Sequence, residues 1–301
     1  MTDDLRADPL PLSEGIGLIG LGKMGLPMAR NLREKGYRVL GFDVFEPARR
    51  AAADIGVDVV NSPAEIASTT ALTLVVVGFD EQVREVIEAK TTGLLATARP
   101  GHVIAICSTV EPTTVIDAAQ TSGAHGVHVV DSPICRGEPA AEDATLLIML
   151  GGDEKVIEAI SPALSAMASD MYRLGGLGAG QVGKMLNNFV LWSTVTANYE
   201  AMRLGDSLHV DMTQLREALM LSSGNNWALE TWTRSRPMPW AEKDMRILTE
   251  HAEKAGLSLP LARLVETEIA AIKVAKNAWT EGGGASSSMD AFVRSLSETA
   301  E

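Results

Sequence analysis

At 301 residues, 46% of them hydrophobic and 22% charged, the chain is long enough for two domains and apolar enough to bury sizeable cores, which excludes a disordered polymer. A formal net charge of −13 argues against nucleic acid as a partner, since phosphate binding needs a basic surface, but leaves room for a small anionic substrate met by a few local cations. No window offers the ~18 uncharged apolar residues that cross a bilayer, and two cysteines, Cys107 and Cys135, are too few for a disulfide scaffold, so a cytoplasmic protein is expected.

The opening Met1–Glu14 is acidic with two prolines, unlike a signal or transit peptide, and a flexible N-terminus (1–14) is expected. Short β-branched runs then alternate with helical stretches, the pattern of a parallel sheet covered by helices. Strands are predicted at 16–20, 38–42, 72–77, 102–106, 127–130 and 146–150, and helices at 24–35, 46–55, 63–68, 81–90 and 113–121. The character changes after the glycine-rich Gly175–Gly180, where strand-like runs nearly vanish. A long helix is predicted from Gln181 to Leu208, striped by Val182, Leu186, Phe189, Val190 and Val195. The predicted boundary falls near Leu177, giving a dinucleotide-binding domain (15–176) and a helical domain (177–301). A flexible loop is expected at 281–288 before a short last helix.

The first predicted strand runs into Gly20-Leu21-Gly22-Lys23-Met24-Gly25 and a helix follows. One G-x-G-x-x-G among 27 glycines says little, and the bland reading is a turn that binds nothing. Between strand and helix, however, the pattern has a mechanism. Gly20 permits the tight turn, Gly22 admits a pyrophosphate to the backbone, and Gly25 lets helix and strand pack closely. The diphosphate then rests on a helix N-terminus. Asp43 closes the next strand near the spacing at which an acid binds the ribose hydroxyls and repels a 2′-phosphate. NAD is therefore expected over NADP, with Arg49 and Arg50 close enough to soften the preference.

The stretch Ile19–Leu32, with Met24, Pro27, Met28 and Asn31 beyond the generic fingerprint, resembles the opening of the β-hydroxyacid dehydrogenase family. Further matches follow in order: Ser108-Thr109 with Pro112, Asp131-Ser132-Pro133 through Gly151-Gly152, Gly178-x-Gly180-x-x-x-Lys184-x-x-Asn187-Asn188, and Lys243-Asp244. The resemblance covers nearly the whole chain. It implies an α/β fold in which an N-terminal doubly wound Rossmann sheet is joined by a long helix to an all-α domain like that of 6-phosphogluconate dehydrogenase. It also implies a dimer or tetramer.

What the resemblance implies for the chemistry is hydride transfer between NAD(P) and a small hydroxy acid or its semialdehyde. Lys184 becomes the general acid/base, in a face shared with Asn187 and Asn188, and Asn188 orients the substrate. Without the resemblance, the same residues read as a solvated helix face. Ser132, Cys135, Arg136 and Gly137 form the substrate loop, with Trp227 in a segment lining the substrate cleft. Val77, Gly78, Phe79, Ser108, Thr109 and Lys243 join Gly20, Leu21, Gly22, Lys23, Met24, Gly25 and Asp43 around the cofactor. No metal site is expected.

The chain departs from the family at two places. Cys135-Arg136-Gly137 replaces the usual Ser-Gly-Gly, exchanging a hydroxyl for a weaker thiol donor. It also adds a guanidinium able to grip an anion, as in the sulfolactaldehyde reductase branch, or simply to point outward. Gly78-Phe79-Asp80 replaces Leu-Pro-Asp. Two alternatives stand beside the leading reading: an imine or anionic-aldehyde reductase on the same scaffold, and a non-catalytic NAD-binding regulator. Retention of Lys184 argues against the imine branch, and Lys184 with Asn188 against the regulator.

Overall fold

The computed structural model describes residues 12–284 and 288–298. Contacts divide the chain into two compact units, Met1–Lys184 and Met185–Glu301.

In the first unit the strands are β1 (Ile16–Ile19), β2 (Val39–Phe42), β3 (Asp58–Val59), β4 (Leu72–Val75), β5 (Val103–Ile106), β6 (His128–Asp131), β7 (Ile134–Cys135), β8 (Leu146–Gly151) and β9 (Ala168–Gly175). Between them lie α1 (Gly25–Glu34), α2 (Glu46–Asp54), α3 (Pro63–Thr69), α4 (Asp80–Glu88), α5 (Pro112–Gly123), α6 (Gly137–Glu142) and α7 (Glu154–Leu164), and α8 (Ala179–Ser207) follows. The sheet order is β3-β2-β1-β4-β5-β6-β8-β7, with β9 on β8. The first six strands are parallel, and β8 pairs antiparallel with β6 and β7.

The parallel strands read as continuous apolar runs because both faces are covered. Val103 and Ala105 of β5 enter one core cluster while Ile104 and Ile106 enter another. Proline in the first turn starts α2, α3 and α5, where its missing N–H costs nothing. In register, Ile19 pairs with Phe42 and with Val75, Val75 with Ile106, and Ile106 with Asp131. The carboxyl ends of β1, β2, β4, β5 and β6 thus form one row, and the chain order reverses between β1 and β4, where doubly wound sheets bind ligands.

The second unit holds the rest of α8 with α9 (Met212–Met220), α10 (Trp227–Glu230), α11 (Ala241–Lys254), α12 (Pro260–Glu281) and α13 (Met289–Glu298). Its core gathers Trp192, Val195, Trp232, Met245, Val265 and Ile269, and Tyr199 stacks on Phe292 at 5.8 Å. Trp192 donates its indole N–H to the buried Asp244 (3.3 Å), tying α11 to α8.

The fold class is the expected one, a Rossmann sheet followed by an all-helical unit. Some particulars differ. β3, β7, β9, α6 and α7 were not anticipated: β3 and β7 are two residues each, and α7 carries Pro162 in its last turn. Contacts group the start of α8 with the first unit, because the first turns of that helix are bonded to loops of the sheet. Of the expected flexible N-terminus, residues 1–11 lie outside the described residues, and Leu12–Glu14 form a 3-10 turn. Residues 285–287 of the expected late loop also lie outside them.

Candidate active site

The glycine loop lies at the carboxyl end of β1. Gly20 has φ +94°, and a Cβ there would stand 2.2 Å from the Val76 carbonyl oxygen. A Cβ on Gly25 would stand 1.8 Å from the Gly20 oxygen, whereas one on Gly22 meets nothing within 4 Å. Two glycines are thus spent on packing, and the middle one leaves open space over the backbone. No side chain caps α1. In its first turn Leu26 donates its N–H to the Gly22 carbonyl (2.9 Å) and Pro27 has none to donate, so what the helix start offers an anion is the positive end of its dipole beside the open Gly22 backbone. This cradle fits a dinucleotide diphosphate. Leu21 donates its backbone N–H to Asp43 (2.7 Å), and Asp43 also accepts from Phe45 (2.8 Å), which fixes the carboxylate at the loop. Arg49 and Arg50 are both paired with Glu46. Lys23 is exposed and pairs with Glu138 at the start of α6, and Met24 precedes α1 half-buried.

Beyond β4, Val77 donates its N–H to the Ser108 hydroxyl (2.8 Å), while Gly78 and Phe79 donate theirs to the Gln82 side chain. The Phe79 ring is exposed. Ser108, buried, and Thr109, half-buried, follow β5 at the same edge of the sheet.

Lys184, in the second turn of α8, places its ammonium 3.7 Å from the sulfur of buried Cys135 on β7. This joins the expected proton-transfer residue to the substrate loop. Asn188, one turn further, is buried, and its side-chain oxygen accepts from Asn187 (3.0 Å). Ser132 is turned wholly inward, its hydroxyl 3.3 Å from the Cys107 sulfur, so that hydroxyl is committed inside the fold. Burial pushes the Cys107 thiol up to about 11, which leaves it inert.

Arg136 is bonded to groups of the protein itself. It precedes α6 at φ 82°, a conformation natural to glycine, and Gly137 follows at φ 75°. Its guanidinium donates to the Thr145 carbonyl, the Ser169 hydroxyl and the Asp170 carboxylate at 2.7–2.9 Å. With Ser169 and then Arg136 bonded to it, Asp170 is held below the usual carboxylate range. Its Nη1 nitrogen thus braces the α6 entry against β9.

In the second unit, exposed Trp227 lies under the Arg236 guanidinium (5.3 Å), and Trp232 is core. Lys243 stands over the Trp240 ring at 5.3 Å. Asn198 and Asn226 exchange side-chain hydrogen bonds. Two residues that hold the active-site loops went unassigned in the sequence, Asp131 and Gln181. Asp131 opens the Asp131-Ser132-Pro133 motif, and Gln181 stands at a position that the Gly178-x-Gly180-x-x-x-Lys184 pattern leaves open. Among the described residues no helix is long and apolar enough to cross a membrane.

A glycine cradle at a sheet switch point, followed by an amine brought to the same edge, defines a nucleotide-dependent oxidoreductase. Comparison gives the particular family. Residues 15–176 match the NAD-binding domain of 6-phosphogluconate dehydrogenase, and residues 178–283 match the domain described as NAD-binding of NADP-dependent 3-hydroxyisobutyrate dehydrogenase. An NAD-dependent L-serine dehydrogenase of Pseudomonas aeruginosa is 33% identical over 75% of this chain and 74% of its own. A 2-(hydroxymethyl)glutarate dehydrogenase of Eubacterium barkeri is 29% identical over 83% and 86%. The structure of Mycobacterium tuberculosis 3-hydroxyisobutyrate dehydrogenase with L-serine superposes with TM-score 0.78 at 28% identity, covering 94% of this chain and 98% of that one. The chain belongs to the β-hydroxyacid dehydrogenase family, the NAD(P)-dependent oxidoreductases of the CH–OH group.

Proposed function

We propose that this enzyme oxidises a small carboxylate bearing a primary alcohol on its third carbon, or reduces the matching semialdehyde, with Lys184 moving the proton. The substrates named for its relatives, 2-(hydroxymethyl)glutarate, 3-hydroxyisobutyrate and L-serine, share that skeleton. The observation that carries the reading is the 3.7 Å approach of Lys184 to Cys135, on a helix whose Gln181 is bonded to Ser108 just past the carboxyl end of β5.

A bound nicotinamide supplies the two-electron acceptor or donor. The chain's own part is the proton. In oxidation the carbinol C–H bond breaks with its electron pair leaving as hydride, and the Lys184 amine takes the hydroxyl proton. In reduction the ammonium returns it to the new alkoxide. Asn188 orients the alcohol through its amide. Cys135 and the backbone of Gly137 face the carboxylate. The Arg136 guanidinium, engaged by Asp170, is left out of substrate binding, which favours a carboxylate over a bulkier sulfonate.

NAD is the preferred cofactor on this reading, because Asp43 puts a negative charge at the glycine loop and Glu46 already occupies Arg49 and Arg50. Copies of the chain assemble through the exposed apolar stripe of Val182, Leu186, Val190 and Leu204 on α8, which light scattering of the purified protein tests.

The test is nicotinamide absorbance with a panel of 3-hydroxy acids, sulfonates and semialdehydes. Lys184→Ala is expected to lower kcat by about 10²–10⁴-fold while nucleotide affinity holds. Turnover retained by that variant overturns the assignment.

A further inference from the structure

The first turns of α8 are fastened from two sides within the first unit. Asp131, the last residue of β6, has 0% exposure. One of its oxygens accepts the Gly178 N–H and the other the Gln181 N–H, both at 2.8 Å. Burial raises this carboxyl above its usual range, while N–H donors from Gly178, Gln181 and Gly180 pull the other way. A remote carboxylate therefore does for α8 what a capping side chain does for an ordinary helix, satisfying the first N–H groups and meeting the positive end of the dipole. The fit is tight enough to require glycine: a Cβ on Gly180 would stand 2.7 Å from the Asp131 oxygen and 2.5 Å from the Met149 carbonyl.

With its backbone so held, Gln181 turns its side chain into the loop after β5. It is 1% exposed. Its amide nitrogen donates to the Ser108 carbonyl (2.8 Å), and its amide oxygen accepts the Val110 N–H (3.2 Å). Ser108 in turn accepts the Val77 N–H on its hydroxyl, so one chain of bonds runs from α8 through the β5 loop to the β4 loop. A buried side chain kept only for bulk has no need to be an amide. This one satisfies two backbone groups facing opposite ways, a donor and an acceptor, as a neighbouring strand would. Three residues on, one helical turn away, is Lys184.

We propose that Gln181 is a positioning residue, setting the Lys184 amine against the Ser108–Val110 loop so that proton and hydride leave the substrate in one geometry. This rests on the reading of Lys184 as the proton-transferring group and extends it to how that group is aimed. Misplacement by about 1 Å costs on the order of 100-fold in rate. A side chain that ties helix to loop is therefore felt in kcat before it is felt in binding.

The experiment compares Gln181→Met and Gln181→Glu with the parent enzyme in kcat, substrate KM, nucleotide Kd and the isotope effect of a substrate deuterated at the transferred hydrogen. Amide exchange of residues 108–110 is followed without nucleotide. For Gln181→Met, kcat is expected to fall about 100-fold with a larger isotope effect, KM and Kd staying within about threefold. Exchange at Val110 is expected to quicken. A protonated carboxyl can donate to Ser108 and accept from Val110, whereas a carboxylate can only accept. Gln181→Glu is therefore expected to regain activity, relative to the parent at the same pH, as pH falls from about 8 to about 6.

A Gln181→Met kcat within about threefold of the parent, or unchanged exchange at 108–110, overturns the proposal. If Gln181→Met does not fold, the pH response of Gln181→Glu decides, and a flat response overturns it. If exchange quickens but the parent turns over no hydroxy acid, the coupling stands and the substrate reading falls.

Discussion

The Lys184 ammonium and the Cys135 sulfur lie 3.7 Å apart, where the family's usual serine would offer an oxygen. Sulfur is a weak partner for an ammonium and its S–H a weak donor to a carboxylate. Cys135→Ser is therefore expected to fold as the parent does and to lower substrate KM about fivefold, the effect of about 1 kcal/mol from one better hydrogen bond. Initial-rate kinetics decide it. An unchanged KM places the substrate carboxylate away from residue 135.

At the other end of the site, Asp43 accepts from Leu21 and Phe45, so any replacement loosens the loop for both cofactors. The informative quantity is their ratio. Asp43→Asn removes the charge and keeps one acceptor oxygen, and the kcat/KM ratio of NADP to NAD is expected to rise about tenfold or more. Equal losses for both nucleotides would mean that Asp43 shapes the loop without reading the ribose.

How much of this was legible in the sequence follows from how local each signal is. β1, β2, β4, β5 and β6 announced themselves as apolar runs because a doubly covered parallel sheet buries nearly every residue, and β8, antiparallel to β6 and β7, is apolar along its whole length although two of its side chains are only half-buried. The Gly20–Gly25 turn and Asp43 were readable for a similar reason, since their spacing along one βαβ unit sets their chemistry. β3 and β7 were not, since two residues carry no period. Arg136 suggested an anion clamp, but Ser169 and Asp170 lie more than thirty residues away, and nothing local says that they take its guanidinium. The bonds of Ser132 and Gln181 are hidden for the same reason: the Ser132 hydroxyl meets Cys107, 25 residues away, and Gln181 spans 73 residues to Ser108.

Arg136 keeps a backbone conformation that suits glycine, at a cost of about 1–2 kcal/mol. Its exposed pairing with Asp170 offsets only part of that, because solvent screens such pairs. Arg136→Gly is expected to raise the melting temperature by about 2 °C while leaving substrate KM unchanged. Calorimetry and kinetics on one preparation check both halves. A KM raised tenfold or more would return the guanidinium to the substrate.

His102 contributes one part of the pH dependence of the first unit's stability. It is buried between β4 and the start of β5, and the Thr70 carbonyl can only accept, so Nδ1 carries the proton and Nε2 accepts from the Thr73 hydroxyl (2.9 Å). Burial is the larger cause of its pKa falling from 6.5 to about 4, with the Thr70 bond opposing. The unfolded chain therefore binds a proton that the fold refuses, and stability drops as pH falls through that window. The contribution is about 3 kcal/mol by the lower end. Carboxylates titrate over the same range, so the readout is a difference. His102→Gln is expected to start less stable at pH 7.5 and to lose less between about pH 6.5 and 5 than the parent does in urea unfolding. Parallel curves for the two proteins would show that the neutral imidazole does not set this slope.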